Sequence, residues 1–228
     1  ETAETVVVYY IDAAGTLKTI RGAYHADTGT VDFPVTHFSS FSLGNNPVYF
    51  NDVPDNAWYY KPVTFVAARG ITLGIGGGLF GPDKQITRGE FIVMLMRAYG
   101  IEPDTNPTDN FADAGSDYYT NYLAAAKRLG ITKGIGDNLY APVSYISRQD
   151  IFTLLYRALD VLGELPAKTK TVDLEAFADY GSISDYALTA VKTFVEAGVV
   201  SGSDGMLAPT SLSTRAQMAQ VLYNLLSK

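Results

Sequence analysis

Cysteine is absent from the 228 residues, and histidine and tryptophan are scarce, with two and one copies. Without cysteine there can be no disulfide, no thiol nucleophile and no Cys-ligated zinc site. The two histidines, His25 and His37, stand in no H-E-x-x-H pattern, and no G-x-S-x-G motif occurs. We therefore expect a chain that is not an enzyme and that carries neither a cofactor nor a metal.

Basic residues are in the minority, since 17 Lys and Arg against 24 Asp and Glu give a formal net charge of −7. A nucleic-acid-binding surface needs clustered Lys and Arg to displace counterions, so this balance argues against nucleic acid as a partner. No apolar run approaches the roughly 20 residues of a membrane helix, and no signal-peptide pattern is present. We expect no membrane insertion, and because strand-like sequence follows Glu1 almost at once, we expect part of a longer polypeptide.

One pattern of motifs occurs three times. Each copy has an F-x-D motif, a Gly-rich stretch that ends in Pro, a motif whose Arg lies six positions after that Pro, and then an apolar stretch. The Gly-rich stretches are ARGITLGIGGGLFGP, RLGITKGIGDNLYAP and EAGVVSGSDGMLAP, and the Arg motifs are ITRGE, ISRQD and STRAQ. Such a repeat predicts similar structural units that share a core, because two short amphipathic helices cannot bury their apolar faces alone.

Each copy is interpreted as a helix, a Gly-rich loop and a second helix. The first helix should start near an aromatic residue and end at a Gly that can adopt the left-handed conformation. These pairs are Trp58 and Gly70, Tyr118 and Gly130, and Tyr186 and Gly198. The second helix should begin at a capping box, which is complete from Thr87 to Glu90 and weaker in the other copies.

Residues 1–46 differ from the repeats. The stretches TVVVYYIDA, TLKTIRGAY, TVDFPV and HFSSFSL alternate apolar and polar residues and are separated by the turn signals AAG and ADTG. We predict that 1–46 is a β-rich segment, the tail of an upstream β domain, followed by repeats at 47–106, 107–170 and 171–228. The predicted fold class is mainly α, with three helix-loop-helix repeats after this β-rich segment.

The order and spacing of these motifs over residues 50–228 resemble the S-layer homology repeat of bacterial cell-surface proteins. The resemblance implies a pseudo-threefold bundle whose grooves bind secondary cell wall polysaccharide, commonly pyruvylated, and so an extracellular anchoring function at the cell wall. It also implies glycan contacts from the motif Arg, from the aromatic residue at the start of the first helix and from the Asp before it. These residues are Arg88, Arg148, Arg215, Trp58, Tyr118, Tyr186, Asp52, Asp113 and Asp179.

The first copy is nearest to the family pattern, because it alone combines Trp58, Arg88 and Glu90. The second copy has ISRQD in place of the family motif, and the third has Ser213 in the Ile position and Gln217 in the Glu position. We therefore expect one dominant groove that involves the first repeat.

The motif Arg admits two interpretations from the residues alone. It follows the N-cap, where the helix dipole disfavours a cation by about 0.3–1 kcal/mol, and an anionic ligand would explain its recurrence. Alternatively, each Arg pairs with an Asp or Glu of a neighbouring repeat. The aromatic residues can pack in the core or stack on sugar, and the Asp residues favour turn closure over ligand contact.

The alternative function is a structural module of a surface lattice, which self-associates and whose grooves bind protein.

Overall fold

The computed structural model describes residues 2–12, 14–35 and 39–227. The chain forms two compact units. The first contains Glu1–Lys84, Arg97–Ile101 and Thr214–Lys228, and the second contains Gln85–Met96 and Glu102–Ser213. His37, at the start of the predicted strand HFSSFSL, lies outside the described residues.

The described chain contains five strands and six α-helices. The strands are β1 (Val6–Ile11), β2 (Leu17–Ile20), β3 (Ala23–His25), β4 (Thr30–Asp32) and β5 (Ser40–Asn45). The helices are α1 (Tyr60–Ala68), α2 (Arg88–Ala98), α3 (Thr120–Arg128), α4 (Arg148–Leu162), α5 (Leu188–Glu196) and α6 (Arg215–Leu226).

The predicted fold class, a mainly α bundle of three repeats, is wrong. The described chain is a mixed α and β protein, in which a small sheet and a two-stranded ladder accompany the six helices. The helices are short, with nine residues each in α1, α3 and α5, and long irregular loops separate them. Capping motifs mark where helices begin but not how much chain lies between them, so the prediction overestimated the helical part.

In the first unit, β1 is the central strand of an antiparallel sheet with the order β2-β1-β5. Strands β3 and β4 form a separate two-stranded ladder. The β-branched Val7 and Val8 of β1 are each 1% exposed, which is consistent with a central strand. Asp12 Oδ1 accepts hydrogen bonds from the N–H groups of Ala14 and Thr16 and so closes the turn between β1 and β2.

Arg69, which follows α1, connects this β-rich segment to the helices of the same unit. Its buried guanidinium donates to the carbonyl oxygens of Glu4, Val6 and Gly22 at 2.9–3.1 Å, and it lies 3.5 Å from the Phe65 ring centroid. Burial lowers the pKa of Arg69 to about 10, so the group stays charged at neutral pH. The β-rich segment and α1 thus belong to one packed body. That the segment ends an upstream domain stays a prediction.

In the second unit, three buried residues form a closed ring of backbone hydrogen bonds. The N–H of Ile86 donates to Ser213 O at 2.9 Å, the N–H of Ser213 to Ile146 O at 3.3 Å, and the N–H of Ile146 to Ile86 O at 3.2 Å. Helices α2 and α4 begin two residues after Ile86 and Ile146. The ring therefore fixes the starting points of both helices, and with them Arg88 and Arg148.

A candidate ligand groove beside Arg88

The Asp of each F-x-D motif holds the end of the Gly-rich loop in its own repeat. The two carboxylate oxygens of Asp113 accept from the N–H groups of Tyr140 and Ala141 at 2.9 and 2.7 Å. Asp52 does the same for the residue pair Phe80 and Gly81, and Asp179 for Leu207 and Ala208. The loop geometry therefore depends on these three carboxylates.

Arg88 is the first residue of α2, as the capping motif predicts, and its side chain is buried. Its Nε donates to Tyr140 O at 2.8 Å, and one terminal nitrogen lies 3.1 Å from Asp150 Oδ2. The Tyr140 hydroxyl in turn donates to the backbone oxygen of Arg88 at 3.2 Å. The guanidinium is thereby oriented by the repeat that follows its own.

Asp150, at the start of α4, accepts a second hydrogen bond from the hydroxyl of Tyr186 at 2.8 Å. Burial and then the bond to the Asp150 carboxylate raise the pKa of Tyr186 to about 12. The phenol is therefore neutral and a donor at any physiological pH. Arg88, Asp150 and Tyr186, one residue from each repeat, form a connected chain of polar contacts.

This chain of contacts lines a cavity of about 340 Å³ in the second unit. Its wall also contains Lys133, from the Gly-rich loop of the second repeat, and Arg157, from α4. Neither of these two cations has a hydrogen-bond or ion-pair partner within the described part of the chain. The cavity is therefore lined by three cationic side chains and by one carboxylate, that of Asp150.

The other two motif arginines have part of the same geometry. Arg148 Nε donates to Leu207 O at 3.0 Å, and burial lowers the pKa of its guanidinium. Arg215 is buried in the first unit, where its Nε donates to Phe80 O at 2.8 Å. All three motif arginines therefore bind the loop carbonyl just before the end of a Gly-rich stretch.

The predicted aromatic residues are exposed: Trp58 by 61%, Tyr118 by 57% and Tyr186 by 53%. This exposure argues against the core-packing interpretation. Trp58 and Tyr118 each make an edge contact with the following Tyr, at 5.3 and 5.2 Å between ring centroids. Of the three, Tyr186 lines the cavity beside Arg88.

The structure brings Arg88 together with Tyr186 through their shared contacts with Asp150. Trp58 belongs to the first unit, and Glu90 caps its own helix, with Oε2 accepting from Thr87 N at 2.9 Å. Sequence reasoning missed Asp150, Lys133 and Arg157. The sequence contained a signal for two of them. Only the second copy has Lys immediately before a Gly of its Gly-rich stretch, at Lys133, and only the second copy has Asp as the last residue of its Arg motif, at Asp150.

The cavity beside Arg88 thus combines the side chains of Arg88, Lys133 and Arg157 with the phenol of Tyr186. Within the described ranges, no group of three or more His, Asp or Glu residues is placed to hold a metal ion. The S-layer homology domain family matches the chain at residues 49–92, 110–152 and 176–219. The chain belongs to this family.

Relatives that share this domain include enzymes and S-layer proteins. The chain is 32% identical over 227 residues to an amylopullulanase of Thermoanaerobacterium thermosulfurigenes, covering 99% of this chain and 12% of that protein. It is 32% identical to the exoglucanase XynX of Acetivibrio thermocellus, covering 79% and 16%. It is 29% identical to the S-layer protein sap of Bacillus anthracis, covering 76% and 20%.

The chain thus spans at most a fifth of the length of these three relatives. The family and its S-layer relatives confirm the predicted location at the cell surface, in association with the cell wall. Anchoring at the cell wall is consistent with the occurrence of the domain in both enzymes and S-layer proteins. Among the described helices, none combines the length and the apolar character that crossing a membrane would require.

Proposed function

We propose that this chain anchors a larger exported protein to the cell wall by binding a pyruvylated, anionic polysaccharide in the groove beside Arg88. The observation that carries the proposal is the cavity of about 340 Å³ into which Arg88, Lys133 and Arg157 project. In this proposal the chain is not itself a catalyst, and the activities named for its relatives are properties of those proteins.

The chemistry of the groove suits a sugar that carries a carboxylate. A guanidinium presents paired donors that match the two oxygens of a carboxylate, which is the group that a pyruvate ketal adds to a sugar. The exposed ring of Tyr186 offers an apolar face for the sugar and a polar edge. The volume of the cavity falls within the about 300–1,000 Å³ of typical small-ligand sites.

We extend the ligand-contacting role to Arg148 and Arg215 and to the exposed rings of Trp58 and Tyr118, which occupy the same motif positions in their own repeats. The three aspartates Asp52, Asp113 and Asp179 act in this proposal by holding the loops, since both carboxylate oxygens of each already accept backbone N–H groups.

Calorimetric titration with purified cell wall polysaccharide, before and after removal of its pyruvate ketals, tests the proposal. We expect Arg88→Ala to weaken binding by about tenfold or more, because the variant loses one cation of the groove and leaves the Asp150 carboxylate unpaired beside the anionic ligand. The matched control is Arg128→Ala, which removes an exposed Arg that pairs with Asp104 outside the cavity. Full binding to the depyruvylated polymer would contradict the carboxylate mechanism.

A second candidate function is a surface-lattice module, which the similarity to the S-layer protein sap of Bacillus anthracis favours. A lattice module should self-associate without glycan. Sedimentation velocity over a hundredfold range of protein concentration distinguishes the two, because an anchoring module is expected to stay monomeric until the polymer is added.

A further inference from the structure

Asp150 departs from its counterparts at the start of the second helix in the other repeats. Glu90 and Gln217 reach back to their own N-caps, where their side-chain oxygens accept from Thr87 N at 2.9 Å and Thr214 N at 3.1 Å. Asp150 is one methylene shorter than Glu. It receives the Ser147 side-chain cap on its N–H, but its carboxylate points instead to Arg88 and Tyr186. The side chain of Asp150 therefore lines the groove, whereas the longer side chain of Glu90 caps its own helix.

This contact gives Arg88 a carboxylate partner before any ligand arrives. The Asp150 oxygen lies 3.1 Å from the guanidinium, which is the distance and the chemical group that a pyruvate ketal would offer. A ligand carboxylate that replaced Asp150 would exchange one such pair for another and gain little. Net attraction must therefore come from cations that the protein leaves without a partner.

Lys133 and Arg157 are such cations. Both line the cavity, and among the described residues neither forms an ion pair or a hydrogen bond. Lys133 is exposed and Arg157 is half-buried, so an entering anion can reach both.

We propose, on the basis of the proposed function, that the Asp150 carboxylate competes with the ligand carboxylate for Arg88. Lys133 and Arg157 then supply the groove's net attraction for the ligand. The groove then selects glycans whose anionic groups reach Lys133 and Arg157. A single carboxylate that meets Arg88 alone binds weakly, because it must first displace Asp150.

The substitution Asp150→Glu tests the competitor role without changing the charge of the protein. The longer side chain can reach the Ser147 N–H, as Glu90 reaches Thr87, and so releases Arg88. We expect pyruvylated cell wall polysaccharide to bind this variant about tenfold more tightly, the equivalent of one charge-assisted hydrogen bond. Asp150→Asn, which removes the charge and keeps the size, should also bind more tightly.

Weaker binding by both Asp150 variants would overturn the inference, because it would mean that Asp150 positions Arg88 for the ligand. Lys133→Ala and Arg157→Ala should each weaken binding by about tenfold. Lys192→Ala, outside this cavity, is the matched control. Unchanged binding by the first two variants would refute their role. Failure of the proposed function looks different: wild type and Arg88→Ala would bind alike, and depyruvylation would change nothing.

Discussion

The residues that the structure explains best are the three aspartates of the F-x-D motifs. Each carboxylate receives two consecutive backbone N–H groups from the end of a Gly-rich loop, at 2.6–2.9 Å. For Asp52, desolvation raises the pKa, but the hydrogen bonds from Phe80 and Gly81 and the charge of Arg215 outweigh it and hold the pKa below its ordinary value. The folded loop therefore stabilises the ionised carboxylate.

Asp52→Ala should lower the free energy of unfolding by about 1–3 kcal/mol at neutral pH, because two loop N–H groups lose their acceptor. Since the folded-state pKa lies below the ordinary value of 3.8, this contribution is present above pH 3.8 and is lost as the pH falls through the folded-state pKa. Urea titrations of wild type and variant at pH 7 and below pH 3 measure the difference. Asp55→Ala, at an exposed position nearby, is the control, and an equal loss there would contradict the prediction.

The position of each motif Arg could be predicted from the sequence, but its partner could not. Arg88, Arg148 and Arg215 are the first residues of α2, α4 and α6, as the capping motifs indicate. The contact of Arg88 with Asp150 depends on bringing two distant repeats together, which no local pattern encodes. For the same reason the sequence did not distinguish Lys133 from other loop residues, because its place in the cavity wall depends on tertiary packing.

Helix bounds were predicted more accurately than the fold class. The first helices begin at Tyr60, Thr120 and Leu188, two residues after the expected aromatic positions. Trp58 and Tyr118 lie in the turn before the helix and Tyr186 in a short 3-10 helix, Asp185–Ala187, and all three side chains are exposed. The fold class was wrong because periodicity reveals helices but says little about the long loops and about how the β-rich segment packs.

Arg69→Met should detach the β-rich segment from α1. The substitution removes the Arg69 donors to the carbonyl oxygens of Glu4, Val6 and Gly22, of which the first is buried and the other two partly buried, and this should cost at least about 3 kcal/mol. Hydrogen exchange of the β1 and β3 amides measures the effect, and we expect a large loss of protection there. The control is Arg128→Met, whose surface ion pair with Asp104 is worth about 0–1 kcal/mol. Retained protection of β1 and β3 in the Arg69 variant would refute this role.

At the scale of the whole molecule, a chain with a net charge of −7 is proposed to bind a polyanion. The attraction is local to the cations of the groove, whereas the long-range field of the protein repels the ligand. Because the Debye length falls from about 30 Å at 0.01 M salt to about 8 Å at 0.15 M, added salt should remove the repulsion first.

We therefore expect the association rate with pyruvylated polysaccharide to rise between 10 and 150 mM salt, as measured by stopped-flow fluorescence of the single Trp and the tyrosines. A steep fall in the rate with salt, as basic nucleic-acid-binding proteins show, would mean that long-range attraction drives the encounter instead.

The closed ring of Ile86, Ile146 and Ser213 has a consequence for how the second unit is assembled. Two of its three hydrogen bonds involve Ser213, so Ile86 N–H and Ile146 O stay unpaired until the last of the three segments arrives. Buried backbone groups are seldom left unpaired, and the second unit can therefore close only after Ser213 has been synthesised. The ring therefore makes the packing of the second unit a joint property of three segments that lie far apart in the sequence, and no single repeat can complete it alone.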